Sequence, residues 1–162
     1  MTFDFEERPG NMFDCISPTD SLVVCVSEDM RLSKGHTQQG ISATFRQKFG
    51  NVHQLQAQKK SVGQVACLSL GQRRHVFYLI TRPKIYNRPS YADLEACLIA
   101  LRNACENLGV LSLAIPQELG TGLDALQEKY VKDYLFKIFS AQTHRHTQTN
   151  KYPTPIFETI YQ

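Results

Sequence analysis

The chain has 162 residues, enough for one domain with a substantial core, since a domain of ~150 residues removes roughly 68–70% of its unfolded surface from water. A composition of 42% hydrophobic and 20% charged residues is ordinary for a globular protein and excludes a disordered, collagenous or disulfide-scaffold chain. The net charge of +3, from 18 basic and 15 acidic residues with no basic run, reads as a solvated surface able to attract an anion and not as a nucleic-acid platform.

The first residues, Met1 to Glu7, lack a basic region followed by an apolar one, so no signal peptide is expected. No apolar segment reaches the ~20 residues that cross a bilayer. Phe3 to Arg8 alternates apolar and charged residues, the period of a half-exposed strand, and Pro9-Gly10-Asn11 breaks it. Ser21 to Ser27 is nearly all apolar and β-branched, as expected of a strand covered on both faces. After a polar stretch with Gly35 and Gly40, Ile41, Phe45 and Phe49 recur at helical spacing and Gly50 stops them. A second short helix is expected from His53 to Lys60. Val65 to Leu70 and His75 to Thr81 read as strands flanking the turn Gly71-Gln72.

Ser90 is a good N-cap for a long helix, with Asp93 placed to favour its exposed N–H groups. Leu94, Cys97, Leu98, Leu101 and Cys105 form its apolar stripe and Gly109 ends it. Val110 to Ile115 reads as another buried strand. Asp124 to Ser140 carries Leu126, Tyr130, Leu135 and Phe139 as a last major helix, and Pro155 to Tyr161 as a closing strand. Strands interleaved with helices predict an α/β fold of three layers, a mostly parallel central sheet with helices on both faces. The expected organisation is one domain over 1–162, with a core at about 3–140, a polar connection at about 141–152 and the closing strand at 155–161.

The five cysteines, Cys15, Cys25, Cys67, Cys97 and Cys105, form no CxxC pair and read as small buried apolar residues in a reducing compartment. None has the glycine-rich or His-flanked setting of a catalytic thiol. His144 and His146 lack an acidic or Cys partner at ligand spacing, so no metal is expected, and no cofactor is implied. The expectation is an intracellular monomer, nuclear or cytoplasmic, with no membrane and no specific nucleic acid as partner.

Chemistry is expected in the glycine-bearing loops that follow buried strands. Backbone N–H groups at a strand-to-helix turn point at whatever lies there, and glycine lets an oxyanion approach. The loop Arg31 to Gly40 feeds the helix at Ile41, and Leu119-Gly120-Thr121-Gly122 feeds the helix expected near Asp124. Facing each other, the two could grip a diphosphate; the plainer reading is that these glycines only supply tight turns. No Walker A and no GxGxxG is present, which disfavours ordinary mononucleotide and Rossmann sites.

Five collinear segments resemble the macro domains of the terminal ADP-ribose protein glycohydrolase type. They are Thr19-Asp20-Ser21-Leu22 running into Cys25-Val26-Ser27-Glu28-Asp29-Met30-Arg31, then Lys48-Phe49-Gly50, Tyr78-Leu79-Ile80-Thr81, Pro89-Ser90-Tyr91 and Gly120-Thr121-Gly122-Leu123-Asp124. The resemblance spans roughly Arg8 to Phe139. It implies a binder of ADP-ribose or of mono-ADP-ribosylated proteins, at the carboxyl ends of the strands. Gly10-Asn11-Met12 takes the place of the family's Gly-Asp-hydrophobic turn, whose aspartate accepts from the adenine amino group; Asn11 keeps an acceptor oxygen and loses the charge. Ser27 sits where the family has a ligand-contacting serine. Gly40 and Ile41 resemble the Gly-Ile opening the phosphate-binding helix, with Gly35 as the alternative because the stretch Leu32 to Gln39 exceeds the family's usual loop. Gly120, Thr121, Gly122 and Leu123 match the loop around the diphosphate and distal ribose.

For catalysis, the resemblance implies Asp124 as acid/base beside the distal ribose; read from spacing alone, Asp124 is first of all an N-cap of its helix. The family's nucleophilic lysine is replaced by Arg82, a guanidinium with no free lone pair to attack with. Lys84 lies beyond Pro83 and would have to swing back. Three readings stay open: a hydrolase that removes mono-ADP-ribose from acidic side chains using Asp124, a non-catalytic ADP-ribose reader, and an interaction domain with a decayed pocket.

Overall fold

Along the segment Ser21–Ser27 successive side chains alternate between two sides, and all seven residues are buried. Val23 and Cys25 enter one apolar cluster, while Leu22, Val24 and Val26 enter another. A strand with no solvated face must sit in a sheet covered on both sides. The computed structural model describes residues 7–8, 10–31, 41–71, 74–117, 119, 126–140 and 160–161. Within them the strands are β1 (Glu7–Arg8), β2 (Ser21–Ser27), β3 (Val65–Ser69), β4 (His75–Arg82), β5 (Leu113–Pro116) and β6 (Ile160–Tyr161). The helices are α1 (Met12–Cys15), α2 (Ile41–Phe49), α3 (Val52–Ala57), α4 (Tyr91–Leu108) and α5 (Glu128–Ser140).

The sheet has the order β1-β6-β5-β2-β4-β3. All neighbouring pairs are parallel except the β3–β4 hairpin at the edge. β4 repeats the alternation of β2, sending Phe77 and Leu79 into the cluster under α4 and α5, and Val76, Tyr78 and Ile80 into the cluster under α1, α2 and α3. The result is the three-layer α/β arrangement expected from the sequence. Burying one Leu, Ile or Phe contributes ~1.5–3 kcal/mol, so these two aliphatic layers supply most of the gross stabilisation.

The long helix forms where the sequence places it. Ser90 Oγ accepts from the Asp93 N–H at 3.1 Å and donates to Asp93 Oδ2 at 2.8 Å. Gly109 closes the helix in the left-handed region at φ 67°, its N–H returning to the Cys105 and Glu106 carbonyls. Glycine alone adopts that φ without a Cβ penalty. The stripe Leu94, Cys97, Leu98, Leu101 and Cys105 is wholly buried against the sheet.

Several expected boundaries move. α3 is Val52–Ala57, so Gln58 to Lys60 lie outside it. β5 starts at Leu113 and not at Val110, which is buried in the same core without strand pairing. α5 starts at Glu128 and not at Asp124, with Leu126 and Gln127 preceding it outside the helix. Its buried face is Val131, Leu135, Ile138 and Phe139, whereas Tyr130 is 43% exposed. Cys25, Cys97 and Cys105 are buried as expected, but Cys15 is exposed at the end of the single-turn helix α1. Of the closing strand, Ile160–Tyr161 pairs with β5 and β1; 155–159, the polar connection with His144 and His146, and Phe3 to Glu6 lie outside the described residues.

Candidate functional site

Because five strands run the same way, β1, β6, β5, β2 and β4 all end at one edge of the sheet. β2 is the pivot. From it the chain passes to β3 and β4 on one side, then crosses through α4 to β5 on the other. Sheets of this kind open a crevice outside the carboxyl ends at the point where strand order reverses. The segment after β2 and the segment after β5 therefore leave from adjacent strands at the same edge. That placement is the condition for two loops to face one ligand.

At the end of β2 the pairing slips. Val26 lies opposite Ile80 but Ser27 lies opposite Arg82, so Thr81 is skipped. The Glu28 N–H still reaches the Arg82 carbonyl at 2.8 Å, which holds the two strand ends together beyond the irregularity; such slips re-aim side chains beside active sites. Thr81 Oγ1 donates to the Val26 carbonyl at 3.4 Å and lies 3.5 Å from Arg82 Nη1. Arg82 is only 5% exposed. This places a nearly desolvated guanidinium at the end of β4, beside Thr81.

Ser27 is fully buried, and its hydroxyl donates to Asp29 Oδ1 at 2.5 Å. The same carboxylate oxygen accepts from the Arg31 N–H at 3.2 Å. Between them Met30 is buried with φ 55°, a left-handed conformation that a side-chain-bearing residue adopts at a cost. Ser27 therefore shapes the turn that leaves β2. Arg31 then reaches across the edge: its Nη1 donates to the Tyr86 hydroxyl at 2.8 Å, with the guanidinium carbon 5.7 Å from the ring centre.

At the end of β1, Gly10 has φ 109°, which only glycine takes readily. Asn11 is exposed, and its Oδ1 accepts from the Phe13 N–H at 2.9 Å, capping α1. Part of the acceptor capacity expected for adenine is thus spent on the helix. The Met12 side chain is buried in the core with Met30, leaving its backbone for any ligand. Ile41 is half-buried and opens α2. Gly35, Gly40, Gly120, Thr121, Gly122, Leu123 and Asp124 lie outside the described residues.

The chain on either side of 120–125 is anchored. Leu119 is buried and its N–H bonds the Pro116 carbonyl at 3.0 Å. The Gln127 N–H donates to the Tyr91 hydroxyl at 3.0 Å. Tyr91 in turn packs against Tyr130 and Tyr134, with ring centres 5.6 and 6.3 Å away. Just beyond, the Gln117 amide and the Lys132 ammonium hold the exposed Glu128 carboxyl below its usual range. Nothing local in the sequence marks the Arg31–Tyr86 contact, whose partners lie 55 residues apart, or the tyrosine group. Asp29, two residues from Ser27, was within reach of local reasoning. Among the described residues no three His, Cys, Asp or Glu side chains gather to hold a metal.

No protein-family model matches the chain. It is 38% identical to the ADP-ribose glycohydrolase OARD1 of Bos taurus over 138 residues, covering 85% of this chain and 86% of that protein. The same fold occurs in the macrodomain of Mycobacterium tuberculosis DarG, with a TM-score of 0.78 at 19% identity, covering 99% of this chain and 98% of that one. Thermosipho africanus DarTG, solved in complex with ADP-ribose, matches with a TM-score of 0.69 at 20% identity over 94% of this chain and 39% of that one.

Proposed function

The chain belongs to the macro-domain family of ADP-ribose glycohydrolases, and from that premise we propose that it binds ADP-ribose and hydrolyses its ester with acidic side chains of proteins. The observation that carries this reading is the topology. β2 and β5 lie side by side and parallel, so the two glycine-bearing segments that follow them leave the sheet at one edge. Gly40 or Gly35, with the amides that open α2 at Ile41, takes one side of the diphosphate; Gly120, Thr121, Gly122 and Leu123 take the other. Asn11 and the Met12 backbone lie at the end of β1 for the adenine. The Ser27–Asp29 turn keeps the β2 side of the crevice in shape.

In the reaction, a water oxygen attacks the anomeric carbon and gives its proton to Asp124. The bond from that carbon to the ester oxygen breaks, and the protein carboxylate leaves with the electron pair. Arg82 supplies positive charge for the diphosphate or the departing carboxylate, and in its nearly desolvated position that charge acts more strongly than in water. Proton transfer contributes ~10²–10⁴-fold and orientation the rest. An activated ester does not need a covalent intermediate, so the absence of the family's lysine is compatible with turnover.

Arg82 favours a second reading, a module that reads ADP-ribose without cleaving it. Two measurements separate the possibilities. Calorimetric titration with free ADP-ribose tests binding, and no heat up to millimolar ligand rejects both readings. Incubation with a protein mono-ADP-ribosylated on glutamate tests turnover: release by the parent that disappears in Asp124→Ala supports the hydrolase, and equal retention of label in both supports the reader.

A further inference from the structure

The segment that leaves β4 is pinned by its own hydrogen bonds. The Lys84 N–H donates to Asn87 Oδ1 at 2.9 Å and the Asn87 N–H donates to the Lys84 carbonyl at 2.9 Å, closing a tight turn. Ile85 is buried beneath it, whereas Tyr86, the next residue, is 69% exposed. The Arg31 guanidinium from the loop after β2 clamps this ring through both its hydroxyl and its face. Lys84 and Arg88, two residues before and after Tyr86 in the chain, are exposed. Of the nearby acids, Asp29 is engaged by Ser27 and by the Arg31 N–H, and Glu28 is exposed on the same turn. The rim thus offers an aromatic plate held by one cation, with two more exposed cations within two residues of it in the chain, four residues beyond the strand ends that bound the crevice.

We propose that this rim, Arg31, Lys84, Tyr86 and Arg88, receives an acidic polypeptide segment flanking the modified side chain of the target protein. The proposal rests on the ADP-ribose reading of the crevice and adds a second recognition element outside it. Tyrosine and arginine are the residue types that carry interface energy, and here they are held in place before binding, so little side-chain freedom is lost on contact. The surplus positive charge selects an acidic partner by attraction and rejects a basic one. Continuity with the crevice places the plate where polypeptide on either side of a bound ADP-ribosyl group would pass.

The test uses two peptides carrying ADP-ribose through an uncleavable amide linkage, one flanked by Asp and Glu, the other by Lys and Gln. The intact chain is expected to bind the acid-flanked peptide about tenfold more tightly at low salt. Tyr86→Ala and Arg31→Ala should each remove most of that preference and leave affinity for free ADP-ribose within about twofold. Tyr86→Phe keeps the plate and should retain part of the preference. Equal affinity of the parent for both peptides overturns the proposal while the crevice reading stands. A parallel loss of free ADP-ribose and peptide binding in the variants also overturns it, since the pair would then belong to the nucleotide pocket. Failure of the parent to bind ADP-ribose at all sinks the reading beneath it, and the rim proposal with it.

Discussion

Replacement of Phe45 by leucine tests how the helix that opens at Ile41 is held on the sheet. Phe45 is wholly buried and meets three rings nearly edge-on: Phe13 at 5.4 Å, Phe49 at 5.5 Å and Tyr78 at 6.3 Å between centres. Each such pair contributes ~0.5–1.5 kcal/mol beyond area burial. Because the three share one ring they do not add fully, and about 2 kcal/mol is expected from their loss. Phe77 is equally buried on the opposite face but has, among the described residues, one tilted ring partner, His75 at 5.9 Å, so Phe77→Leu should cost ~1–2 kcal/mol less than Phe45→Leu. Denaturant titration at unchanged slope reads this difference directly. For a domain of this size it corresponds to a gap of roughly 2–8 °C in melting temperature. Phe45→Leu should also weaken ADP-ribose binding about threefold by loosening α2, with Phe77→Leu leaving it unchanged. A Phe77→Leu variant as unstable as Phe45→Leu would refute the ring-pair reasoning.

Arg82→Lys restores a primary amine at the end of β4; mass spectrometry after incubation with ADP-ribose should detect a covalent adduct that the parent never forms. Its yield should rise with pH, because only the deprotonated amine attacks, and no adduct at any pH means that this position does not face the ribose. Burial lowers the His75 pKa from its ordinary 6.5. The unfolded chain then binds the proton more readily, so this contribution to stability is complete above about pH 6.5 and is lost as pH falls through the depressed value. Denaturation midpoints between pH 7.5 and 5 should show a decline that His75→Gln flattens; an unchanged slope would discount His75. Ser90→Ala removes the acceptor for the Asp93 N–H and should cost about 1 kcal/mol, read by the same titration, with loss of less than a few tenths counting against the cap.

Elements whose cause is local could be read from the order of residues alone. β2 announces itself through a continuous apolar run rich in valine, and α4 through a cap, an apolar stripe and a terminal glycine that satisfy its own backbone. The pattern from Asp124 onward carries no comparable signal for where α5 begins, and Gln127, just before Glu128, is held instead by Tyr91, a contact between residues 36 apart. Likewise Ser27 and Asn11 were marked by the family resemblance of the segments around them. That the Ser27 hydroxyl turns to Asp29, and that Asn11 caps α1, depended on backbone geometry after each strand.

What the order of amino acids determined by itself was the apolar run that buries both sides of the central strand β2 and the caps of the long helix. What only the tertiary structure decided was the order of strands, the slip that sets Ser27 opposite Arg82, and the clasp of Arg31 on Tyr86. Periodicity and capping are short-range and leave a trace within a few residues. Strand order and side-chain meetings across a sheet edge arise from packing distant segments together, and they leave no local mark.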